Sequence, residues 1–348
     1  MHDLDKVTSR KIAFLILAHN EAGVIGNTVA SVLEDHSEDD ALFVVADNCM
    51  DATADRAREA GAQVFVRYTG SADGKGKALA WFIKEHGDCL AGSDMLVILD
   101  ADSKIKPGFT RIVKANITGG KPVFQCFLYP VSNDQSPVGK LAALSELIDQ
   151  CLSDRIRTFL KWPVRLRGTG MLIQPEILAS VSGQLETEVE DIALTLLLAA
   201  KGITISRMEE AVVFDQKPGS SGAAAEQRAR WFRGQWVALW HYRREIFKMV
   251  AKGPAGWTLL GSLFLRPKWL IVAIDFLLAV LLLHWPWPSL VFWLLGTLGL
   301  VYYAIGMTRI PERGTYLRAL LYTPAFIWMW VRSLLLALHS SSWRRSRN

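Results

Sequence analysis

Short apolar runs that alternate with helical patterns constrain this chain more than any other feature of its sequence. Ile12 to Ala18 is the first run, with a helical pattern from Val24 to Leu33 behind it. Leu42 to Ala46 is the second, followed by a helix rich in Ala and Arg from Thr53 to Ala60. Val64 to Val66 is the third, and Met95 to Leu99 the fourth, after a helix that starts near Lys77. Strand-length apolar runs interleaved with helices predict an α/β fold with an open, mostly parallel sheet covered on both faces. Such sheets bind ligands beyond the carboxyl ends of their strands. The polar clusters fall there: His19-Asn20-Glu21 after the first strand, Asp47-Asn48 after the second, Asp100-Ala101-Asp102 after the fourth.

Each cluster has a functional and a structural reading. Two carboxylates one residue apart at a strand end, Asp100 and Asp102, face a hard cation such as Mg or Mn that also takes diphosphate oxygens; an isolated Asp-x-Asp is more often merely solvated. Asp47 either accepts hydrogen bonds from a nucleotide base or ribose, or caps the helix at Thr53. Asn20 and Glu21 carry the same ambiguity. Gly74-Lys75-Gly76 opens a helix, where exposed N–H groups and a lysine suit an anion, although the spacing is not that of a P-loop. Glu190 and Asp191 precede the helical stretch Ile192 to Ala200. They are either favourable charges at a helix start or include a general base that deprotonates an acceptor hydroxyl. Gln227, Arg230 and Trp231 share one helical face in a segment dense in Arg and Trp. That segment reads mostly as an amphipathic helix on a membrane surface, with these three able to bind diphosphate and stack on a sugar.

Hydrophobicity is unevenly spread over the 348 residues. Up to about Lys252 charged and apolar residues mix; Leu270 to Leu283 and Leu290 to Met307 are then almost wholly apolar. A bilayer span needs about 20 apolar residues. With Trp285-Pro286-Trp287-Pro288 as a turn, the two runs predict a helical hairpin in the membrane. Arg266 and Lys268 before it, and Arg309 and Arg313 after it, place the catalytic part and the basic tail from Trp343 to Arg347 on the cytoplasmic side. Leu317 to Leu338 carries Arg318, Pro324 and Arg332 and is expected to lie at the interface. No signal peptide is expected in Met1 to Lys11. Cys49, Cys89, Cys126 and Cys151 show no ligand spacing and read as reduced thiols. The net charge of +5 is met by anionic lipid and a diphosphate ligand, without nucleic acid.

Ala-His-Asn-Glu, Ala-Asp-Asn, Gly-Lys-Gly, Asp-Ala-Asp, Gly-Thr-Gly-Met, Glu-Asp and Gln-x-x-Arg-Trp follow in an order that resembles family 2 glycosyltransferases. The branch it looks most like contains cellulose, chitin and hyaluronan synthases and many bacterial exopolysaccharide enzymes. The resemblance runs from Ile12 to about Trp236 and implies a GT-A fold and an inverting transfer from a nucleotide-diphosphate sugar, UDP by preference. On this likeness Asp47 contacts uridine, Asp102 is the main metal ligand with Asp100 in support, and Asp191 is the base, following Glu190. Gln227, Arg230 and Trp231 cradle the donor diphosphate and the acceptor end, and Gly168-Thr169-Gly170 lines the acceptor pocket.

The expected organisation is a GT-A domain over 1–225, interfacial helices over 226–268, a hairpin over 269–308, and an interfacial helix with tail over 309–348. Unlike the large synthases, no membrane helix is read before the catalytic part. Addition of one sugar to a lipid-linked or glycan acceptor at a bacterial inner membrane is therefore preferred to processive polymerisation. Asp275 inside the first apolar run is a functional candidate by position. A nucleotidyltransferase would need neither the hairpin nor Gln-x-x-Arg-Trp, and a silent subunit would not keep Asp102, Asp191 and Arg230. A homo-oligomer, or assembly with other glycan-synthesis proteins, stays open.

Overall fold

The structure is a computed structural model that describes residues 10–70, 74–132, 136–217, 221–265, 268–310 and 313–339. The first eleven residues and the basic tail therefore lie largely outside the described residues, as does Arg266. The chain divides into two compact units, Met1–Tyr129 with Lys161–Gln216 and Val237–Gly256, and Pro130–Leu160 with Lys217–Trp236 and Trp257–Asn348.

The first unit is built on an eight-stranded sheet of order β3-β2-β1-β4-β7-β6-β8-β5. Its strands are β1 (Ile12–Ala18), β2 (Ala41–Asp47), β3 (Gln63–Arg67), β4 (Met95–Asp100), β5 (Lys104–Ile105), β6 (Val123–Ser132), β7 (Met171–Ile173) and β8 (Ile205–Lys217). β3, β2, β1 and β4 are parallel, in keeping with the unbroken apolar runs of β1, β2 and β4. β1 is buried along its whole length, because helices cover both faces. On one face Phe14, Ile16, Val44 and Val97 pack with α1 (Ile25–Leu33). On the other, Phe43 meets Phe82 at 5.7 Å between ring centroids. Each such side chain contributes about 1.5–3 kcal/mol on burial. Between these helices runs α2 (Thr53–Glu59), and Phe82 lies on α3 (Lys75–His86). Beyond β4 the pairings with β7, and of β7 with β6, turn antiparallel. The result is the mostly parallel mixed sheet expected, with an antiparallel half appended.

Register fixes where the polar clusters emerge. Leu17 pairs with Asp100, Ala18 with Ala46, and Asp47 with Arg67. The ends of all four parallel strands therefore share one edge of the sheet.

The remaining helices are α4 (Phe109–Asn116), α5 (Pro137–Ile148), α6 (Arg155–Phe159), α7 (Pro175–Ser182), α8 (Glu190–Ala200), α9 (Ser221–His241), α10 (Arg243–Val250), α11 (Pro254–Phe264), α12 (Lys268–Leu281), α13 (Pro286–Thr308), α14 (Gly314–Leu317) and α15 (Thr323–His339). In the second unit α12 and α13 form the expected helical hairpin. Gly296 and Gly299 of α13 lie against the side chains of Phe276 and Val272, which occupy the space a side chain at either glycine would need. Among the described residues, Pro286–Thr308 and Gly314–Leu338 are long and apolar enough to cross a membrane, with 17% and 22% of their apolar windows buried. The second of these includes the stretch expected at the interface. α12, at 14 residues, is shorter than the roughly 20 that a span needs.

Candidate active site

β4 ends at Asp100, and the turn after it is held from both sides. The Asp100 N–H donates to Thr169 Oγ1 at 3.1 Å, and the Thr169 and Ser103 hydroxyls lie 2.9 Å apart. Thr28 Oγ1 donates to the carbonyl of Ala101 at 2.6 Å. Thr169 is itself fixed, since its carbonyl accepts from Gln125 Nε2 at 2.9 Å. Gly168 and Gly170 flank it at φ +89° and +61°. A Cβ on Gly170 would stand 3.1 Å from Leu128 and Val213, so only glycine fits that position. Thr169, expected to line an acceptor pocket, is buried, and its hydroxyl braces the Asp100–Ser103 turn.

Lys75, the first residue of α3, reaches this turn with its Nζ 2.6 Å from Asp100 Oδ1. Desolvation disfavours its ammonium form, but Asp100, Glu190 and Asp102 outweigh that and raise its pKa. Asp102 is pushed up to about 7, first by burial and then by Asp100, with Lys75 acting against them and Asp215 and Glu21 adding to them. Negative charge is thus in excess around one lysine, which is the electrostatic condition for a cation site. Among the described residues no group of three or more His, Cys, Asp or Glu side chains forms a metal cage. Two hard carboxylates on one rigid turn instead fit Mg or Mn that completes its shell with phosphate oxygens and water.

Glu190 and Asp191 open α8, at the end of a helix where negative charge is favoured. Glu190 is buried and pushed up to about 8, chiefly by burial, with Lys75 opposing and Asp191 and Asp100 reinforcing the shift. A Cβ built on Gly168 would be 3.7 Å from its Oε1, and one on Gly76 would be 3.4 Å from its Cβ. Gly-Lys-Gly, Gly-Thr-Gly and Glu-Asp, read as separate motifs, therefore converge on one carboxylate. Asp191 is less buried; its Oδ1 accepts from the Ile192 N–H at 2.8 Å. The loop leading to this pair is pinned by Tyr242, whose hydroxyl donates to the Gln184 carbonyl at 2.7 Å and accepts from the Glu186 N–H at 3.3 Å.

At the other end of the edge, Asp47 Oδ1 accepts from Arg67 Nη1 and from Asn48 Nδ2, each at 2.7 Å. Asn20 and Asn48 both adopt positive φ, 55° and 50°, which asparagine tolerates better than most residues. Their side-chain oxygens accept from the Met50 and Thr69 N–H groups at 2.8 and 2.7 Å, lacing the loops after β1, β2 and β3 together. The Glu21 N–H donates to Thr53 Oγ1 at 2.8 Å. Tyr68 stands 70% exposed at this rim, presenting an aromatic face to solvent.

Sequence reasoning missed Arg67, Thr169's bracing role and Tyr242. A basic residue closing β3 beside an acid closing β2 was a signal for the first; the other two contacts are long-range and leave no local pattern. Of the Gln-x-x-Arg-Trp motif, which belongs to the second unit, the Gln227 side chain lies outside the described residues. Arg230 is half-buried and Trp231 is 43% exposed. The neighbouring Arg228 is buried, with its guanidinium 5.0 Å from the centre of the Trp330 ring.

Comparison with known proteins bears on the fold and the family. The mannosyltransferase PcManGT of Pyrobaculum calidifontis, solved in complex with GDP-Man and Mn2+, superposes with a TM-score of 0.56 at 14% identity, over 97% of this chain and 90% of its own. Glucosyl-3-phosphoglycerate synthase of Mycobacterium tuberculosis, solved with Mn2+, UDP-Glc and phosphoglyceric acid, overlaps less, with a TM-score of 0.43 and 19% identity over 71% and 81% of the two chains. The first of these superpositions identifies the architecture as a Rossmann-like GT-A fold followed by helices. In sequence, the chain is 24% identical over 261 residues to the probable glycosyltransferase YdaM of Bacillus subtilis (strain 168), covering 70% of this chain and 59% of that one. It matches glycosyltransferase like family 2 over residues 9–234, more than half of its length, and belongs to that family.

Proposed function

We propose that this glycosyltransferase transfers one sugar, with inversion, from a nucleoside diphosphate sugar to a lipid-linked or glycan acceptor at a membrane surface. The observation that carries the proposal is the convergence of Lys75, Asp100, Asp102 and Glu190 at the strand ends, with more negative charge than one lysine balances.

Asp102, with Asp100 in support, holds Mg or Mn there; when bound, the ion supplies Lewis-acid stabilisation of the leaving diphosphate. Lys75 keeps Asp100 aimed through the contact of its Nζ with Oδ1 at 2.6 Å. Thr169 keeps the turn rigid, so that little reorganisation is needed as charge develops. Asp191 accepts the acceptor hydroxyl proton. Glu190, whose carboxyl is pushed up chiefly by burial and then by Asp191 and Asp100 against Lys75, stands beside it. Asn20, Glu21 and Asp47 shape the nucleoside end, with the exposed Tyr68 offering a stacking face for the base. Arg230 and Gln227 act on the donor diphosphate, and Trp231 on diphosphate and acceptor, as in the family motif. Gly168 leaves room beside Glu190 for the acceptor.

The reading of a bacterial inner-membrane location, with catalysis on the cytoplasmic side, is supported by two long apolar helices whose surfaces are mostly exposed and by the Lys and Arg placement. Asp191→Asn tests the assignment of the base. It should bind a UDP-sugar with Mn2+ as the parent does while transferring no sugar; transfer at the parent rate would refute the assignment.

A further inference from the structure

The Gln-x-x-Arg-Trp motif carries a second arginine, Arg228, at a position the motif leaves open. It is 7% exposed. Its guanidinium lies over the Trp330 ring, 5.0 Å from the centre. The same indole meets Phe232 edge-on at 5.8 Å and Phe326 at 6.2 Å. Arg228 and Phe232 are four residues apart and share one face of α9. The motif helix therefore grips a single side chain of α15 at two points one turn apart.

A buried guanidinium ordinarily has its N–H groups hydrogen-bonded. Arg228 Nε and Nη1 meet no acceptor among the described residues, and neither does Trp330 Nε1. Burial pushes the pKa of Arg228 down to about 10, with Glu146 of α5 opposing the shift. What the two side chains offer each other is thus a ring face and a desolvated cation, a contact that is stronger away from water. The planar, weakly hydrated guanidinium suits it better than the compact ammonium of a lysine.

The contact constrains α9 in the way a motif helix needs. A helix lying on a neighbour keeps one soft freedom, rotation about its own axis, and successive residues are about 100° apart on it. Arg230 follows Arg228 by about 200°, so holding Arg228 on α15 turns Arg230 to the far side. A twist that released Arg228 would carry Phe232 off the same indole.

We propose that Arg228 and Trp330 are positioning residues, whose contact sets the rotation of α9 and thereby aims Arg230 at the donor diphosphate. The assignment rests on the diphosphate role of Arg230 proposed above and adds what holds that arginine in place.

The test is calorimetric binding of UDP and of GDP, each with Mn2+, to the full chain in detergent, beside thermal melting. Arg228→Met should weaken binding of the nucleotide that the parent prefers at least fivefold. Its melting temperature should hold or rise, because methionine leaves no desolvated charge. Arg228→Lys should fall between the two. Trp330→Leu should match Arg228→Met, and Trp330→Phe should stay within twofold of the parent. In an Arg230→Ala background, Arg228→Met should weaken binding no further, since the group it aims is gone. Parent affinity in Arg228→Met, affinity and melting temperature falling in step, or a full further loss in the Arg230→Ala background would overturn the proposal. Parent affinity in Arg230→Ala would refute the diphosphate role itself, and the clamp with it. Binding needs no transfer, so a chain that shows these differences but transfers no sugar would refute the transferase reading and leave the clamp standing.

Discussion

Lys75 and Asp100 lie 2.6 Å apart, Nζ to Oδ1, although 25 residues separate them in the chain. The pair joins the start of α3 to the end of β4 and fixes one carboxylate of the Asp-x-Asp turn in place. It leaves Asp102, two residues on, crowded by Asp100, Asp215 and Glu21. The site is therefore arranged to accept positive charge.

That arrangement predicts a pH dependence with a definite sign. Burial and neighbouring acids push Asp102 up to about 7 and Glu190 up to about 8, above the 3.8 and 4.5 of the free side chains. The folded state thus binds more protons than the unfolded chain between about pH 4 and 8, and the stability these groups contribute is lost as pH rises through that window. Metal-free protein should melt at a lower temperature at pH 8 than at pH 5.5, as far as these two groups decide it. Mn2+ should reverse the trend, because it needs the ionised Asp102 and so binds more tightly at pH 8. Differential scanning fluorimetry at both pH values, with and without Mn2+, checks this.

Thr169→Val keeps the side-chain volume but removes the hydroxyl that accepts from the Asp100 N–H and pairs with Ser103. Leaving such buried groups without a partner costs about 1–3 kcal/mol, measurable by urea unfolding. Because the turn also loosens, Mn2+ affinity by calorimetry should fall together with stability.

Tyr242→Phe removes both hydrogen bonds from the loop that ends in Glu190 and Asp191. Stability should fall by only about 0.5–1.5 kcal/mol. The informative readout is kinetic: with Asp191 as the proposed base, kcat should drop severalfold while the KM for the donor stays put. A change in donor KM alone would show that Tyr242 does not position the base.

Gly170→Ala places a methyl 3.1 Å from two side chains at φ +61°. Strain of this kind costs on the order of 1–3 kcal/mol, and the variant should unfold at lower urea than the parent without a separate effect on pH dependence.

The parallel half of the sheet was legible because β1, β2 and β4 are unbroken apolar runs buried on both faces. The acids that close β2 and β4 were legible as strand ends for the same reason, since each is the polar residue that ends an apolar run. The antiparallel half was not. β8 interleaves Arg207, Glu209 and Glu210 with apolar residues, and β7 is three residues long, so neither reads as an unbroken run. Glu190 and Asp191 were legible as helix-start acids, but burial alone separates them, and burial depends on Gly168 and Gly76 arriving from far along the chain. In the apolar C-terminal part, composition marked the hairpin, whereas the 14-residue length of α12 follows from where the turn closes, with the Trp285 N–H bonded to Leu282.

Nucleotide release by the detergent-purified chain tests the central claim most directly. The chain would be given a panel of UDP- and GDP-sugars, Mn2+ or EDTA, and a membrane lipid extract, with Asp102→Asn run beside it. The account predicts release from one donor that needs both metal and lipid and falls roughly 100-fold or more in Asp102→Asn. Release that persists in EDTA, or at the parent rate in Asp102→Asn, would contradict it.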